Sequence, residues 1–416
     1  MSAREERTVS ESKGRQRRIK DFKLSALLEV TKAINSNLST ADLLALFQNI
    51  IQDKLNIGKL VLFGHDGKAW KTLLSFGVGE EMSHIDVAKE FKGIHEISTI
   101  DLDASRDALN KSFEIIIPVF HKSQPLAYLL IGDLNEDEGG MSATIKHLPF
   151  VQTLTNIIVV AIENKKLFKE NLHRAAMHRE LELAWEVQRM LFPEELPHNE
   201  NLDMDAVYLP HQQVGGDYYD FIQINENEVA ICVADVSGKG VPAALLMSNF
   251  QANLRILLHH IPSLPELVHE LNAKVSANAK GEKFITLFIA KYNTVTRVLH
   301  YINAGHNPPL VIDNDGANLL TVGCTGLGMF DDLIKVREGI VNVSHGALLL
   351  CYTDGLVETT NDHDEDFGLP RLQQIALANR KLSPKELNAV IIDSVNKHKG
   401  DQSYIDDIAL VTCRLP

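Results

Sequence analysis

Carboxylates at the ends of apolar runs are the side chains of this sequence most suited to chemistry. Asp235 ends an apolar run that begins at Val229, and a glycine-rich turn, residues 236–242, follows it. Asp354 comes shortly after a second apolar run, residues 347–352. Both runs have the length and composition of buried strands, so each strand would carry its carboxylate to the edge of a sheet.

Further acidic positions have related settings. Asp406 and Asp407 immediately precede residues 408–411, an apolar run that also has the pattern of a buried strand. Asp217 follows two consecutive glycines, which let neighbouring backbone approach closely, and Asp220 lies three residues further on. Asp406 and Asp407 therefore lie where a buried strand begins, and Asp217 lies where the backbone can approach closely.

Such carboxylates can converge at one rim of a sheet, where they would repel one another and be poorly solvated. Divalent cations remove this penalty by binding carboxylate oxygens, carbonyl oxygens and water. A set of oxygen ligands without His or Cys suits Mg²⁺ or Mn²⁺ and not zinc. A single strand-end Asp is more often a helix cap or a turn former than a ligand, but the repeated pattern favours a metal site.

The acidic positions belong to an ordered set of motifs that spans roughly residues 184–414. In chain order the set is AWEVQRMLFP (184–193), GGDYYD (215–220), ADVSGKGVPAA (234–244), NAGHNPP (303–309), YTDG (352–355) and DDI (406–408). This set closely resembles that of the PPM phosphatases and, within them, the stage II sporulation protein E (SpoIIE) branch. Bacterial members of that branch often carry GAF or other sensor domains upstream.

The resemblance implies an α-β-β-α sandwich with a centre of two Mn²⁺ or Mg²⁺ ions at one edge. Asp235 would bridge the two ions, with the backbone carbonyl of Val236 beside it. Asp217 would hold one ion, and Asp354 and Asp406 the other. The cations would lower the pKa of a bridging water, and the resulting hydroxide would attack phosphoserine or phosphothreonine.

The roles of the remaining acids are less specific. The sequence leaves open whether Asp406 or Asp407 ligates metal, so both are candidate ligands. Asp407 and Asp220 are expected to contact the metal ligands without binding the metal themselves.

The sequence departs from eukaryotic PPM enzymes at two places. Ser237 stands where those enzymes commonly have a His thought to assist the leaving group, and their early phosphate-binding Arg has no evident counterpart. The general acid is therefore unassigned. His306 is a candidate, but its Gly-His-Asn-Pro-Pro context favours a structural turn. Lys239 lies among glycines whose spacing does not fit a phosphate-binding P-loop.

The elements upstream predict a second, smaller domain. Apolar residues recur at helical spacing over residues 22–51, with a break at 35–40 that contains the plausible helix start Ser39. Three runs then have a strand pattern, at residues 59–63, 113–119 and 127–132. This order resembles a GAF domain over roughly residues 22–165, which implies an α/β sensor with an antiparallel sheet.

A GAF domain can bind a small-molecule ligand or act in dimerisation without one. His84, His95 and His121 are the candidates for contact with such a ligand. For each of them a surface or hydrogen-bonded histidine is the favoured interpretation.

A continuous helix is predicted from about His147 to Leu191 and ends at Phe192-Pro193. Its apolar residues approximate a heptad seam that breaks near residues 173–176 and then resumes. The pattern favours a parallel coiled coil that joins two copies of the chain as a homodimer. A helix packed along its own domains is the alternative.

The 416 residues have room for two domains and a connector, in an α+β fold class. The predicted division is a flexible tail (1–21), a GAF-like sensor domain (22–165), a helical linker (166–192) and a phosphatase domain (193–416).

The formal net charge of −14 excludes a general nucleic-acid binder, because a phosphate backbone demands a basic face. No apolar stretch predicts a membrane span, and the polar N-terminus has no secretory signal, so a cytoplasmic protein is expected. The 4 cysteines are widely spaced, and Cys232 and Cys351 fall within apolar runs, where buried reduced thiols are expected.

The leading hypothesis is a sensor-regulated protein phosphatase, which by resemblance acts on a phosphorylated regulatory protein such as an anti-sigma-factor antagonist. A catalytically weak signalling scaffold that binds a partner protein is the alternative, although every expected metal Asp is present. A metal-dependent hydrolase of nucleotides or nucleic acids is disfavoured by the acidic charge.

Overall fold

The computed structural model describes residues 3–79, 85–99, 113–134, 147–199, 202–211 and 213–415, and its side chains from residue 17 on apart from 133–134. The chain forms two compact units, Met1–Arg174 and Ala175–Pro416. Over the ranges described, no helix is both long and apolar enough to cross a membrane.

The first unit begins with the helix pair that the sequence predicts. Helix α1 (Ala3–Asn35) is followed by α2 (Thr40–Asn49), which continues into a π-helical turn, Ile50–Lys54. The Ser39 hydroxyl accepts a hydrogen bond from Asp42 N (3.1 Å) and so caps α2, which satisfies a backbone donor that the helix itself cannot. Because α1 starts at Ala3, the segment that the sequence predicts as a flexible tail is largely helical in the structure.

An antiparallel sheet follows, as the resemblance to a GAF domain implies. Its five strands lie in the order β2-β1-β5-β4-β3. Their bounds are β1 (Ile57–His65), β2 (Trp70–Phe76), β3 (Ser98–Thr99), β4 (Ile115–His121) and β5 (Gln124–Leu134). One face packs on helical residues, with Val30, Phe47, Leu129 and Leu154 in a common core. A short helix, α3 (Val87–Glu90), belongs to the apolar cluster of the other face.

Helix α4 (Leu148–Arg189) is the long helix that the sequence predicts from 147 to 191. Its residues up to Arg174 belong to the first unit and those from Ala175 to the second. Phe192 and Pro193 follow its last turn, because proline cannot continue a helix.

The second unit contains two six-stranded sheets. One has the order β14-β11-β10-β9-β8, with β15 paired to β11, and the other has the order β13-β12-β16-β17-β7-β6. The strands are β6 (His198–Asn199), β7 (Leu202–Leu209), β8 (Tyr218–Asn225), β9 (Glu228–Val236), β10 (Ile285–Asn293), β11 (Val298–Ala304), β12 (Leu310–Ile312), β13 (Ala317–Leu319), β14 (Gly323–Cys324), β15 (Gly339–Asn342), β16 (Ala347–Tyr352) and β17 (Ile408–Leu415).

Helices cover both outer faces, which gives the expected α-β-β-α sandwich. Val233, Phe288, Leu349 and Val411 contribute to the core between the sheets. Residues of α5 and α6 share a core with the first sheet, and residues of α8 and α9 share one with the second. The helices are α5 (Val241–His260), α6 (Leu264–Ala279), α7 (Asp354–Val357), α8 (Leu369–Ala378) and α9 (Pro384–Lys399).

Burial on both faces explains the sequence of the central strands. In β9 and β16 nearly every residue is buried, so both strands are continuous apolar runs and do not alternate. Cys232 and Cys351 lie in these strands as buried free thiols, as predicted, and Cys324 and Cys413 are also unpaired.

Candidate metal centre

The structure brings together at one end of the sandwich the carboxylates that the sequence predicts to converge. This acidic cluster consists of Asp217, Asp235, Asp354, Asp406 and Asp407. Each lies near enough to another member for the negative charge of one to raise the pKa of its neighbour.

Both sheets contribute to the cluster. Asp217 directly precedes β8 and Asp235 lies near the end of β9, and the antiparallel pairing of these strands sets the two residues side by side. Asp354 begins α7 just after β16, while Asp406 and Asp407 precede β17. Neighbouring strands of each sheet therefore deliver carboxylates to the same rim.

Glycines allow the loops of the cluster to approach one another. A Cβ on Gly355 would come within 2.1 Å of the Asp407 carbonyl oxygen, and one on Gly215 within 2.4 Å of Asp407 Oδ2. A Cβ on Gly216 would lie 2.9 Å from the carbonyl oxygen of Val236. Any side chain at these positions would push the loops apart, which explains the residue type.

Asp407 anchors the loop that carries Asp217. Its Oδ1 accepts a hydrogen bond from His211 N (2.7 Å) and its Oδ2 accepts one from Gly216 N (2.8 Å). Both oxygens of this buried carboxylate are thus occupied by backbone donors.

Asp406 is paired with an exposed lysine side chain. Its Oδ2 lies 2.8 Å from Lys239 Nζ, on an exposed lysine that also donates to the Ile405 carbonyl. Its Oδ1 accepts a hydrogen bond from Asp407 N (2.9 Å). Asp406 can therefore exchange its lysine partner for another cation at small structural cost, whereas Asp407 cannot leave its backbone donors.

Burial and mutual repulsion disfavour the charged state of the cluster. Burial, followed by the charge of Asp354, raises the pKa of Asp235 to about 7. Burial, together with the charges of Asp235 and Asp407, raises the pKa of Asp217 well above its usual range. The pKa of Asp354 and that of Asp407 are also raised, chiefly by burial. One exposed lysine, Lys239, pairs with Asp406, so the five carboxylates keep an excess of negative charge.

The donor set fits a hard divalent cation. Asp217 Oδ2 is buried and has no hydrogen-bond partner among the described residues, which is the state of a ligand atom. All the candidate donors are oxygens, which favours Mg²⁺ or Mn²⁺. In the part of the chain that the structure describes, no three His, Cys, Asp or Glu side chains are already set at ligating positions. Asp217 and Asp235 instead share a hydrogen bond, and Asp406 pairs with Lys239.

Ser237 has a structural task. Its hydroxyl accepts a hydrogen bond from Phe284 N (2.9 Å), and its own backbone N donates to Phe284 O (2.9 Å). The hydroxyl closes the turn after β9 and offers no evident replacement for the histidine of eukaryotic PPM enzymes.

Asp220 does not support the cluster, contrary to expectation. Its carboxylate is fully buried and accepts hydrogen bonds from Arg255 Nε (2.7 Å), from Arg255 Nη2 (2.8 Å) and from the Tyr218 hydroxyl. Alternation along β8 gives Asp220 and Tyr218 the same face, and Tyr218 packs in the core shared with α5. Asp220 is therefore the buried half of an ion pair.

His306 is enclosed in the fold, in agreement with the structural interpretation. Its Nδ1 lies 2.9 Å from Thr286 Oγ1, and its backbone N donates to Asn303 Oδ1 (2.8 Å). Burial lowers the pKa of His306 to about 4, so the ring is neutral near pH 7 and has no proton to spare as an acid.

Three polar residues beside the cluster carried no separate prediction. Gln188 on α4 donates from Nε2 to Gly215 O (2.7 Å) and accepts from Gly215 N (3.3 Å). Thr353 accepts from Ala409 N (2.8 Å), and its hydroxyl lies near enough to Asp217 to lower the pKa of that carboxyl. Tyr208 on β7 faces the cluster with its hydroxyl. Gln188 and Thr353 lie inside the quoted motifs, but only tertiary contacts reveal their tasks.

The structure describes His95 and His121, two of the three histidines proposed for the sensor domain. His84 lies outside the described residues. His95 and His121 are both exposed, and the ring of His95 lies 5.2 Å from that of Phe120. Their exposure agrees with surface histidines.

Comparison with known proteins gives independent matches to the second unit. The family profile described as stage II sporulation protein E (SpoIIE) matches residues 225–416. The phosphoserine phosphatase RsbU of Bacillus subtilis is 30% identical over 244 residues, which cover 56% of this chain and 70% of RsbU. The phosphoserine phosphatase RsbP of the same organism is 30% identical over 187 residues, covering 44% of this chain and 46% of RsbP. Protein IcfG of Synechocystis is 26% identical over 276 residues, covering 59% of this chain but 43% of IcfG.

A solved structure supports the fold of the same region. The SiaA-PP2C domain of Pseudomonas aeruginosa superposes with a TM-score of 0.53 at 19% identity, covering 59% of this chain and 98% of that domain. The likeness agrees with the two-sheet architecture described above.

Proposed function

Since this chain belongs to the SpoIIE family of protein phosphatases, we propose that its second unit hydrolyses phosphoserine or phosphothreonine in a protein, using two divalent cations bound at the acidic cluster. The relatives RsbU and RsbP are both named phosphoserine phosphatases. The observation that carries the proposal is the convergence on one rim of carboxylates from both sheets, whose negative charge exceeds the positive charge of Lys239 beside them.

The ligand set is proposed from the places of these residues. Asp235, on which the charges of Asp354, Asp406 and Asp407 all act, would serve both cations, with Val236 O beside it. Asp217 would hold one cation through its unpartnered Oδ2, and Asp354 with Asp406 would hold the other. When bound, such cations activate water as a nucleophile and neutralise charge that develops on the phosphoryl oxygens.

We favour Asp406 over Asp407 as the ligand. Asp406 exchanges one cationic partner, Lys239, for another, while Asp407 holds His211 N and Gly216 N. Asp407 would then act by fixing the Asp217 loop. Thr353 would contribute from the neighbouring sheet, since its hydroxyl lies near enough to Asp217 to lower the pKa of that carboxyl.

Lys239 is freed when a cation takes its place at Asp406. Its ammonium is exposed and lies at the rim, so it can then meet the phosphate of the substrate. This role would supply part of the positive charge that eukaryotic PPM enzymes obtain from an arginine.

The direct test is phosphate release from a phosphoserine peptide by the purified chain with Mn²⁺, with Mg²⁺ and with EDTA. Metal-dependent release that is lost in Asp235→Asn is expected. Asp235→Asn keeps the size of the side chain but removes a charge, so its failure would not reflect a packing defect. No release under any condition, from a folded protein, would favour the scaffold alternative.

The substrate is proposed to be a small phosphorylated regulatory protein such as an anti-sigma-factor antagonist. The family resemblance supports this choice, and the acidic surface charge argues against nucleic acid. Turnover of such a phosphoprotein should exceed that of a phosphopeptide or a nucleotide. Preferential hydrolysis of a nucleotide would contradict the proposal.

Regulation by the first unit is proposed to pass along α4. This helix carries residues of both units, and Gln188 in its last turn holds Gly215 of the loop that bears Asp217. A shift of α4 would therefore change the geometry of a candidate ligand. Removal of residues 1–174 should change Mn²⁺ affinity or turnover, and a truncated chain with unchanged values for both would contradict this coupling.

A further inference from the structure

Tyr208 lies beside the acidic cluster and is not part of the proposed ligand set. It lies on β7, paired with Ala409 of β17, two residues after Asp407. A Cβ on Gly215 would come within 2.0 Å of Tyr208 Oη and within 2.4 Å of Asp407 Oδ2, so the two oxygens face the same side of that glycine.

The Tyr208 ring is fixed by aromatic neighbours. Trp185 stacks on it with ring centroids 5.6 Å apart and an interplanar angle of 24°. Phe192 packs against it, with the two ring centroids 5.0 Å apart. These contacts leave the hydroxyl little freedom to turn away from the carboxylates.

The hydroxyl is buried and has no hydrogen-bond partner within the described part of the chain. Burial, followed by the charges of Asp407, Asp217 and Asp235, raises the pKa of Tyr208, so it remains a phenol and a donor. Unpartnered buried donors are rare in native proteins because their desolvation is uncompensated.

A second unpartnered atom lies in the same cluster. Asp217 Oδ2 is an acceptor without a partner, and Tyr208 Oη is a donor without one. The protein leaves both unsatisfied and does not pair them with each other. A hydrated cation would satisfy both, since the cation binds carboxylate oxygen and the outer water of its shell can accept a hydrogen bond.

We propose that Tyr208 is a positioning residue of the metal centre, whose hydroxyl hydrogen-bonds the water shell of a divalent cation held beside Asp217. The inference rests on the metal site proposed above. It follows that the hydroxyl lowers the stability of the metal-free protein and contributes to stability only when the cation is bound.

The test compares Tyr208→Phe with the parent chain and with Tyr219→Phe as a matched control. Tyr219 packs against the same Phe192 at 5.0 Å, but the charges nearest its hydroxyl are those of Asp205 and Asp220. Mn²⁺ affinity is measured by titration calorimetry on the full chain, and the melting temperature is measured in EDTA.

Tyr208→Phe should bind Mn²⁺ about five- to ten-fold more weakly, the loss expected for one hydrogen bond, and should melt in EDTA at or above the parent temperature. Tyr219→Phe should leave Mn²⁺ affinity unchanged. A residue that only packs would instead show a lower melting temperature in EDTA with unaltered Mn²⁺ affinity, and that result would overturn the inference.

The design separates this inference from the metal site on which it rests. If the parent chain binds Mn²⁺ and Tyr208→Phe binds it equally well, only the role of Tyr208 fails. If the folded parent chain binds neither Mn²⁺ nor Mg²⁺, the metal site fails and the role of Tyr208 fails with it.

Discussion

Asp217, which directly precedes β8, and Asp235, near the end of β9, lie side by side. Each is held near other carboxylates in a buried place, so each prefers a proton to a charge. A divalent cation competes with that proton for the same oxygens. Proton binding and the proposed metal binding would therefore be linked at this site.

The first prediction concerns pH. The folded-state pKa of Asp235 is about 7, above its usual 3.8, so the charged residue destabilises the metal-free fold. The free energy of unfolding therefore falls as pH rises from the usual pKa to the folded-state pKa. In EDTA, the melting temperature should therefore rise when pH is lowered from about 8 to about 6, and by less in Asp235→Asn.

Mn²⁺ affinity should change in the opposite direction. It should fall over the same decrease in pH, because the proton must leave before the metal binds. Calorimetric titrations at the two pH values measure this. An affinity independent of pH would show that the carboxylates are already ionised.

The second prediction separates Asp220 from the cluster. Asp220→Asn weakens the buried pair with Arg255 and should lower stability by about 1–3 kcal/mol, the range for a charged hydrogen-bond partner. Mn²⁺ affinity should not change, because the carboxylate contacts Arg255 and Tyr218 instead of the cluster. Denaturant unfolding and Mn²⁺ titration of the same sample test both parts, and a loss of Mn²⁺ affinity would restore the role predicted from sequence.

Individual residues illustrate what the sequence could reveal. The spacing of glycine and aspartate around Asp217 and Asp235 was sufficient to predict convergence, because strand ends place side chains at a rim. The partner of Asp220 could not be predicted, since Arg255 lies 35 residues away on a helix and no local pattern joins them. The same holds for Tyr208, whose role depends on β7 pairing with β17.

At the scale of elements, α4 contacts the loop that carries Asp217 through the amide side chain of Gln188. Gln188 is buried and satisfies both the carbonyl and the N–H of Gly215, so its removal leaves two backbone groups without that partner. The helix was predictable over nearly its full length, because Gly is absent from it and its one proline, Pro149, lies in the first turn, where proline is tolerated. The contact of this helix with the loop could not be predicted, because nothing in the helical pattern distinguishes Gln188 from a surface residue.

The third prediction tests this contact. Gln188→Ala should lower stability by about 1–3 kcal/mol and weaken Mn²⁺ binding, because the Asp217 loop loses one of its anchors. Glu186→Ala, an exposed position on the same turn, is the control and should change neither value. Equal effects of both substitutions would mean that the helix end, not the amide, matters.

The elements of the first unit were also largely predictable. The helix break at residues 35–40 and the cap at Ser39 follow local rules, and both are found. Strand β2 was missed because its exposed and half-buried residues give no apolar run. The helical start of α1 was missed because residues 3–21 are polar and lack the periodicity that marks a packed helix.

At the scale of the whole molecule, α4 leaves an apolar surface on the monomer. Phe168 is 65% exposed and Val187 62% exposed, and Leu172 and Met177 are also more than half exposed. Single exposed apolar residues are common, but a succession of them on one helix favours burial against a second copy. This supports the homodimer proposed from the heptad seam.

The fourth prediction is that the full chain sediments as a dimer and that Phe168→Glu combined with Leu172→Glu shifts it to a monomer. Charged residues at a coiled-coil seam cannot be solvated once the helices associate. Glu170→Lys, at an exposed polar position between them, is the control. A parent chain that sediments as a monomer at micromolar concentration would favour the helix packed along its own domains.

The origin of the acidic cluster in two separate sheets has a mechanical consequence. Asp217 and Asp235 belong to one layer of the sandwich, while Asp354 and Asp406 belong to the other. A cation shared between them would cross-link the layers, so that their ends could no longer slide apart. Amide hydrogens of β9 and β16 near the rim should then exchange with solvent more slowly in Mn²⁺ than in EDTA. The metal would then hold the two sheets together in addition to its role in catalysis.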